Sequence, residues 1–310
     1  MTSEMRIGPR TFAWGARTYI MGVINVSPES FAGDGLADPE AALEQARRFA
    51  DEGADILDIG GQSTRPGADK TRAGFEELAP EDESRRVVPA IERIATALPD
   101  IPISVDTYKP LVARAALASG AHLVNDIWGL RPPAKGGRKA LGAVGAVQSG
   151  HVGAVPLQQI VAEAGAPVVL MHNQRGRPSH DVIADVITGL RDSVRIATGA
   201  GIGESMIIVD PGFGFGWRPE HNIEMLRRLA ELRVLGLPLL LGTSRKSTIG
   251  ALLGGAPVEE RLFGTAATVA LSIANGADMV RVHDVRAMKQ VALLADAVRR
   301  GWRPPQADPI

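Results

Sequence analysis

Eight times between Tyr19 and Arg300 a short apolar run is followed by a stretch with helical spacing, and this recurrence admits very few folds. The apolar runs span residues 19–25, 55–60, 103–106, 122–125, 167–172, 206–210, 237–242 and 279–282. The helical stretches span 38–52, 84–98, 110–119, 157–164, 181–200, 222–232, then 248–253 with 260–275, and finally 285–300. Runs as densely apolar as that of Ile56, Leu57 and Ile59 belong to strands covered on both faces, hence to a parallel sheet between helices. Eight such units over about 280 residues match a closed (β/α)8 TIM barrel, a single α/β domain. Residues 1–18 then form an N-terminal extension, 19–300 the barrel with an insertion at about 131–155, and 301–310 a C-terminal tail.

The rival is a doubly wound dinucleotide fold, which needs a glycine-rich turn after the first strand. Here that turn reads Asn25-Val26-Ser27-Pro28-Glu29-Ser30-Phe31. The Gly212-Phe213-Gly214-Phe215-Gly216 run follows the sixth strand and has the wrong spacing, and the run from Gly242 to Ser247 lacks the glycines of a P-loop.

With 310 residues, 45% hydrophobic content and a net charge of −1, the chain can bury a large core and shows no basic face for nucleic acid or an anionic membrane. It has no cysteine, which excludes disulfides and thiolate chemistry and accords with a reducing compartment. Neither a signal-peptide core nor an apolar run of membrane-spanning length occurs, so cytoplasm is expected.

Chemistry in such a barrel sits at the carboxyl ends of the strands. These ends carry Asn25, the polar loop with Ser63, Thr64, Arg65 and Pro66, then Asp106, Asn125 with Asp126, Met171 with His172, Asp210, Lys246 with Ser247, and Arg281 with His283. One Asp at a strand end is most often the cap of the next helix, but a ring of them reads as a ligand site. The cations after the last two strands, with Asn25 beside them once the barrel closes, suit a phosphate or diphosphate. Asp106, Asn125 and Asp210 suit an edge of adjacent N–H and NH2 groups, as on a pterin or guanine. Of the six histidines only His283 stands in a constellation, and no spacing suits a tightly held transition metal.

These stretches also carry a resemblance. Met21 to Phe31, Gly60 to Gly67, Ser104-Val105-Asp106-Thr107, Asn125-Asp126, Met171-His172, Asp210 to Phe215, Ser244-Arg245-Lys246-Ser247 and Arg281-Val282-His283-Asp284 resemble, in order, the motifs of the dihydropteroate synthase family. The resemblance implies a (β/α)8 barrel, commonly a homodimer. It also implies an enzyme that joins 6-hydroxymethyl-7,8-dihydropterin diphosphate to 4-aminobenzoate, with Mg2+ as cofactor. By the same resemblance Asp106, Asn125, Asp210 and Lys246 hold the pterin, with Met171 nearby and Arg281 over the ring. Asn25, Arg281 and His283 hold the diphosphate, Asn25 as the metal ligand. Thr64, Pro66, Phe215, Lys246 and Ser247 shape the 4-aminobenzoate pocket, and Arg65 closes over the reacting groups. Asp106, Lys246, Thr64 and Arg65 are the catalytic set.

Three features depart from the family pattern: Gln62 where glutamate is usual, Asp34 one position late in the first loop, and the long segment from Arg131 to Val155. That segment reads either as a solvated insertion or as a flap whose Arg131, Lys135, Arg138 and Lys139 attract anions. Two other functions remain open, a corrinoid-type pterin methyltransferase and a pterin-binding paralogue without turnover.

Overall fold

The computed structural model describes residues 4–26, 35–36, 38–62, 78–131 and 155–302. Eight parallel strands form the barrel: β3 (Tyr19–Asn25), β4 (Ile56–Gly60), β5 (Ile103–Asp106), β6 (Leu123–Asp126), β7 (Val168–Met171), β8 (Ile207–Asp210), β9 (Leu240–Leu241) and β10 (Met279–Val282). Their order is β8-β7-β6-β5-β4-β3-β10-β9, and a parallel bridge between Val209 and Leu239 joins the two ends of the sheet. There the Val209 N–H donates to the Pro238 carbonyl at 2.9 Å. The seventh strand is shorter than its apolar run suggests. Pro238 has no N–H to give, and Leu239 accepts from both Asp278 and Met279 rather than continuing a regular ladder.

Helices α1 (Pro39–Asp51), α2 (Pro80–Ala97), α3 (Pro110–Ala118), α4 (Leu157–Ala164), α5 (Val182–Gly199), α6 (Pro219–Arg227), α7 (Ser247–Leu252), α8 (Leu262–Ala274) and α9 (Val285–Arg300) cover the sheet. Helix α2 begins four residues before its apolar spacing does. Pro80 opens it, and Glu81, Asp82 and Glu83 in the first turn favour the positive end of the helix dipole without contributing a hydrophobic repeat. The sixth helical stretch divides: α6 ends at Arg227, and a 3-10 segment, Leu229–Leu235, runs to Gly236 at φ +70°.

Side chains alternate along each strand. Ile20, Leu57, Val124, Val168, Val209 and Val280 point outward and are buried with the helices in one large core. The inward set at the start of the strands is also apolar: Tyr19, Met21, Ile56, Leu123, Val169, Ile208, Leu240 and Met279. A hairpin of β1 (Glu4–Ile7) and β2 (Arg10–Ala13) closes this end, adding Met5, Ile7, Phe12 and Trp14 to the same cluster. The N-terminal extension of the sequence reading is thus, from Glu4 onward, the floor of the barrel. Phe12 packs on Tyr19 with ring centroids 4.7 Å apart.

Candidate active site

Because the side-chain period is two, the inward position after each apolar floor residue falls in the upper half of the barrel, and there the chain changes character. Ile56 is followed by Asp58, Leu123 by Asn125, Val169 by Met171, Ile208 by Asp210, and Met279 by Arg281 and then His283. Asn25, Asp106, Asn125, Met171, Asp210, Phe215, Lys246, Arg281 and His283, all expected from the sequence, line one cavity at this end. Ser247 does not join them; it stands exposed in the first turn of α7. Thr64, Arg65 and Pro66 lie outside the described residues, as do Phe31 and Asp34.

Arg281 is the electrostatic centre. Its Nε donates to Asp58 Oδ2 at 2.6 Å and a terminal nitrogen donates to Asp106 Oδ2 at 2.7 Å. Asn125 Nδ2 donates to the same Asp58 oxygen at 3.1 Å, while Asp58 Oδ1, buried, has no hydrogen-bond partner. The sequence reading places Arg281 over a pterin ring and toward a diphosphate; in the structure the inward position two residues beyond Met279 makes it the counter-ion of two aspartates. Asp58 escaped that reading because it sits within an apolar strand, and the period-two count from Ile56 was the signal that could have found it.

Burial pushes the Asp106 carboxyl up to about 7, with Arg281 pulling it back and Asp58 adding to the rise. Burial likewise lifts Asp210 to about 6 against the Gly212 N–H, which donates to it at 2.7 Å, and against Lys246 and Arg281. None of these carboxylates caps a helix; Asp38 and Asp181 do, accepting from Ala41 and Ala184. Asp126 turns away from the cavity and accepts from the Trp128 and Leu130 amides, fixing the loop that holds Leu130 at φ +60°.

The glycine run after β8 now has a reason. Gly212, at φ +76°, approaches the His172 carbonyl so closely that a Cβ would fall 1.8 Å from it. Gly214, at φ +82°, turns the chain so that Phe213 is buried and Phe215 faces the mouth. Lys246 Nζ lies 4.1 Å from the centroid of the Phe215 ring, a cation–π contact between two residues expected in one pocket. His283 Nδ1 meets Ser244 Oγ at 2.9 Å, and the His283 N–H donates to that oxygen at 3.2 Å. Ser244 therefore sets the ring's orientation. Arg245, by contrast, is held by Asp284 through two contacts.

Behind the wall, burial and Arg131 bring His172 down to about 4, so the ring is neutral. Arg131 can only donate, which makes Nδ1 the acceptor at 3.2 Å and leaves Nε2–H to donate to Gln174 Oε1 at 2.8 Å. The sequence reading places Arg131 in a solvated insertion or among the anion-attracting cations of a flap, but it is buried against His172 and anchors the end of β6's loop. The other three cations of that reading, Lys135, Arg138 and Lys139, lie outside the described residues.

No group of three or more His, Asp or Glu side chains suited to a metal occurs among the described residues. Asn25 offers one half-buried carboxamide oxygen at the cavity wall. That donor set fits a hard cation taking its remaining oxygens from substrate and water, as Mg2+ does, and does not fit zinc.

Residues 21–283 match the model of the pterin binding enzyme family. A dihydropteroate synthase of Clostridium beijerinckii is 40% identical over 298 residues, covering 96% of this chain and all of that one. Among solved structures, dihydropteroate synthase of Clostridium difficile in the presence of pteroic acid superposes with a TM-score of 0.79 at 41% identity, covering 93% of this chain and 99% of its own. The Xanthomonas albilineans enzyme with 4-aminobenzoic acid gives 0.80 at 38% identity, with 96% and 99% covered.

Proposed function

We propose that this chain, which belongs to the pterin-binding enzyme family and within it to the dihydropteroate synthases, uses the mouth residues just described to join 6-hydroxymethyl-7,8-dihydropterin diphosphate to 4-aminobenzoate with release of pyrophosphate. The observation that carries the residue-level reading is the Asp58–Arg281–Asp106 cluster with its orphaned Asp58 oxygen. A buried acceptor without a partner calls for a donor, and a pterin brings several N–H groups on one edge. When they reach Asp58, Asp106 and Asp210, Arg281 is released from its two aspartates to lie against the ring and the diphosphate. Asn125 presents its carboxamide to the same edge, and Met171 packs beside it.

The C–O bond between the pterin methylene and the diphosphate then breaks, its electron pair leaving with pyrophosphate. Positive charge spreads over the methylene and ring, opposed by Asp106 in a site already arranged for it. The 4-aminobenzoate amine attacks the methylene, a C–N bond forms, and the amine gives its proton to solvent. Lys246, on Phe215, stands between the two halves. Thr64, Pro66 and Ser247 are assigned to the 4-aminobenzoate side, and Arg65 to closure over the reacting groups, by family likeness alone. Asn25 would hold Mg2+ at the cavity wall, and the metal would supply neutralisation of the leaving charge. Pyrophosphate release from the purified protein should therefore need both substrates and collapse after thorough chelation, with recovery on adding Mg2+. Undiminished turnover in a chelator would remove the metal from this scheme, and tight pterin diphosphate binding without turnover would identify a paralogue that only binds.

The protein is further proposed to be a cytoplasmic homodimer. No helix among the described residues is long and apolar enough to cross a membrane. Helices α8 and α9 pack together, and their outer faces expose Phe263, Leu271, Leu293, Leu294 and Val298, with Phe263 85% exposed. That much apolar surface on neighbouring helices suits a second copy of the chain. Phe263→Glu should convert a dimer into monomer in sedimentation at micromolar concentration. A monomeric wild type under the same conditions would reject this surface as the interface.

A further inference from the structure

Lys109, the residue before α3, turns its side chain inward and is buried, as is Glu83 in the first turn of α2. Its ammonium donates to Glu83 Oε2 at 2.6 Å, to the Leu78 carbonyl at 2.6 Å and to Gln62 Oε1. Those bonds use all three of its protons. Gln62 Oε1 also accepts from the Leu78 N–H at 3.3 Å. An ammonium cannot accept a hydrogen bond, so the Gln62 amide cannot exchange its oxygen and nitrogen ends, and its orientation is fixed from behind. Gln62 is at the same time part of the wall of the cavity that Asp106 also lines, two residues beyond β4, whose Gly60 pairs with Asp106. Lys109 does not line the cavity.

We propose that Lys109 is a positioning residue for the 4-aminobenzoate half of the reaction, acting through the Gln62 amide that it holds in the cavity wall. This gives Gln62, the departure that the sequence left without a role, a defined part: it is the acceptor through which a buried charge reaches the site. The Glu83 carboxylate neutralises that charge and is itself among the groups felt at Asp106. The inference rests on the dihydropteroate synthase reading, in which 4-aminobenzoate enters beside the end of β4. A pair that merely tied α2 to α3 would change stability and leave substrate constants alone.

Lys109→Met alone strands the Glu83 carboxylate in the interior and is expected to fold poorly. The test therefore uses the double variant Lys109→Met with Glu83→Leu, which removes both charges, and the single variants Gln62→Met and Gln62→Glu. The double variant and Gln62→Met should each raise KM for 4-aminobenzoate roughly tenfold, while the calorimetric Kd for pterin diphosphate moves by no more than about twofold. Gln62→Glu keeps an acceptor for the ammonium and should raise that KM at most about threefold. A folded double variant, or Gln62→Met, with the wild-type KM overturns the proposal; if the double variant does not fold, Gln62→Met decides. Wild-type pyrophosphate release is measured first. An inactive wild type rejects the reading of the reaction and this inference with it, whereas an active wild type with unaffected variants rejects the inference alone.

Discussion

Arg281→Met should lose roughly a thousandfold in kcat/KM for the pterin diphosphate and destabilise the fold by about 3–5 kcal/mol. The stability loss follows from the geometry. Asp58 is fully buried, and its only charge partner among the described residues is the Arg281 guanidinium at 2.6 Å. Removing one member of a buried pair leaves the other uncompensated, and the same guanidinium is the 2.7 Å partner of Asp106. The loss must depend on pH, with a definite sign. Without Arg281, which pulls it down, the Asp106 carboxyl moves further up, so the folded protein holds a proton that the unfolded chain releases above about pH 4. Folded-state proton excess makes stability fall as pH rises. The variant's deficit in melting temperature should therefore widen from pH 6 to pH 8.5. Arg281→Lys should recover little, because one ammonium cannot span the two aspartates as the planar fork does. A methionine variant that melts with wild type at pH 8.5, or that keeps activity within about tenfold, would show that the cluster holds neither the fold nor the substrate.

How much of this could be read beforehand depended on the kind of signal each residue gives. Strands β3, β5 and β10 coincide with their apolar runs, because a strand buried on both faces leaves a continuous mark. The mouth was legible for the same reason in reverse: Asp106, Asn125, Asp210 and Arg281 interrupt those runs at their ends. Asp58 interrupts a run in its middle and was passed over as part of a strand. Only the inward and outward count, once the barrel closes, distinguishes it from its neighbours Leu57 and Ile59. The hairpin of β1 and β2 left no mark, since four-residue strands with Met5, Ile7 and Phe12 inward are too short to establish a period. Arg131 and Lys109 were illegible for a different reason. A cation in a polar segment looks solvated, and its burial depends on His172 in one case and Glu83 in the other, residues far away in sequence. Pairing across such distances is set by the closed barrel and not by any local pattern.

Asp106→Asn should separate the two consequences of burying a carboxylate at this mouth, and they have opposite signs. The amide keeps the shape and some hydrogen bonds but removes the charge that opposes the positive charge developing on the pterin. Losing such a group costs on the order of 3 kcal/mol, so kcat should fall about a hundredfold while KM for the pterin diphosphate changes much less. With the wild-type carboxyl raised to about 7, the free enzyme loses its ionised form as pH falls through neutrality. The wild-type kcat/KM profile should then show an acid limb near pH 7, and the Asn variant should be flat across it. Stability runs the other way. The raised value means that the folded protein is disfavoured by ionisation there, so wild-type stability declines from about pH 4 to above pH 7, and a neutral isostere escapes that part of the decline. Asp106→Asn should accordingly be nearly inactive at pH 8 yet melt no lower than wild type, and higher relative to it at pH 8 than at pH 5. An acid limb that survives in the variant would assign the titration to another group, Asp210 being the next in line at about 6. A loss confined to KM would mean that Asp106 only grips the ground state, and the electrostatic role in bond breaking would have to be given up.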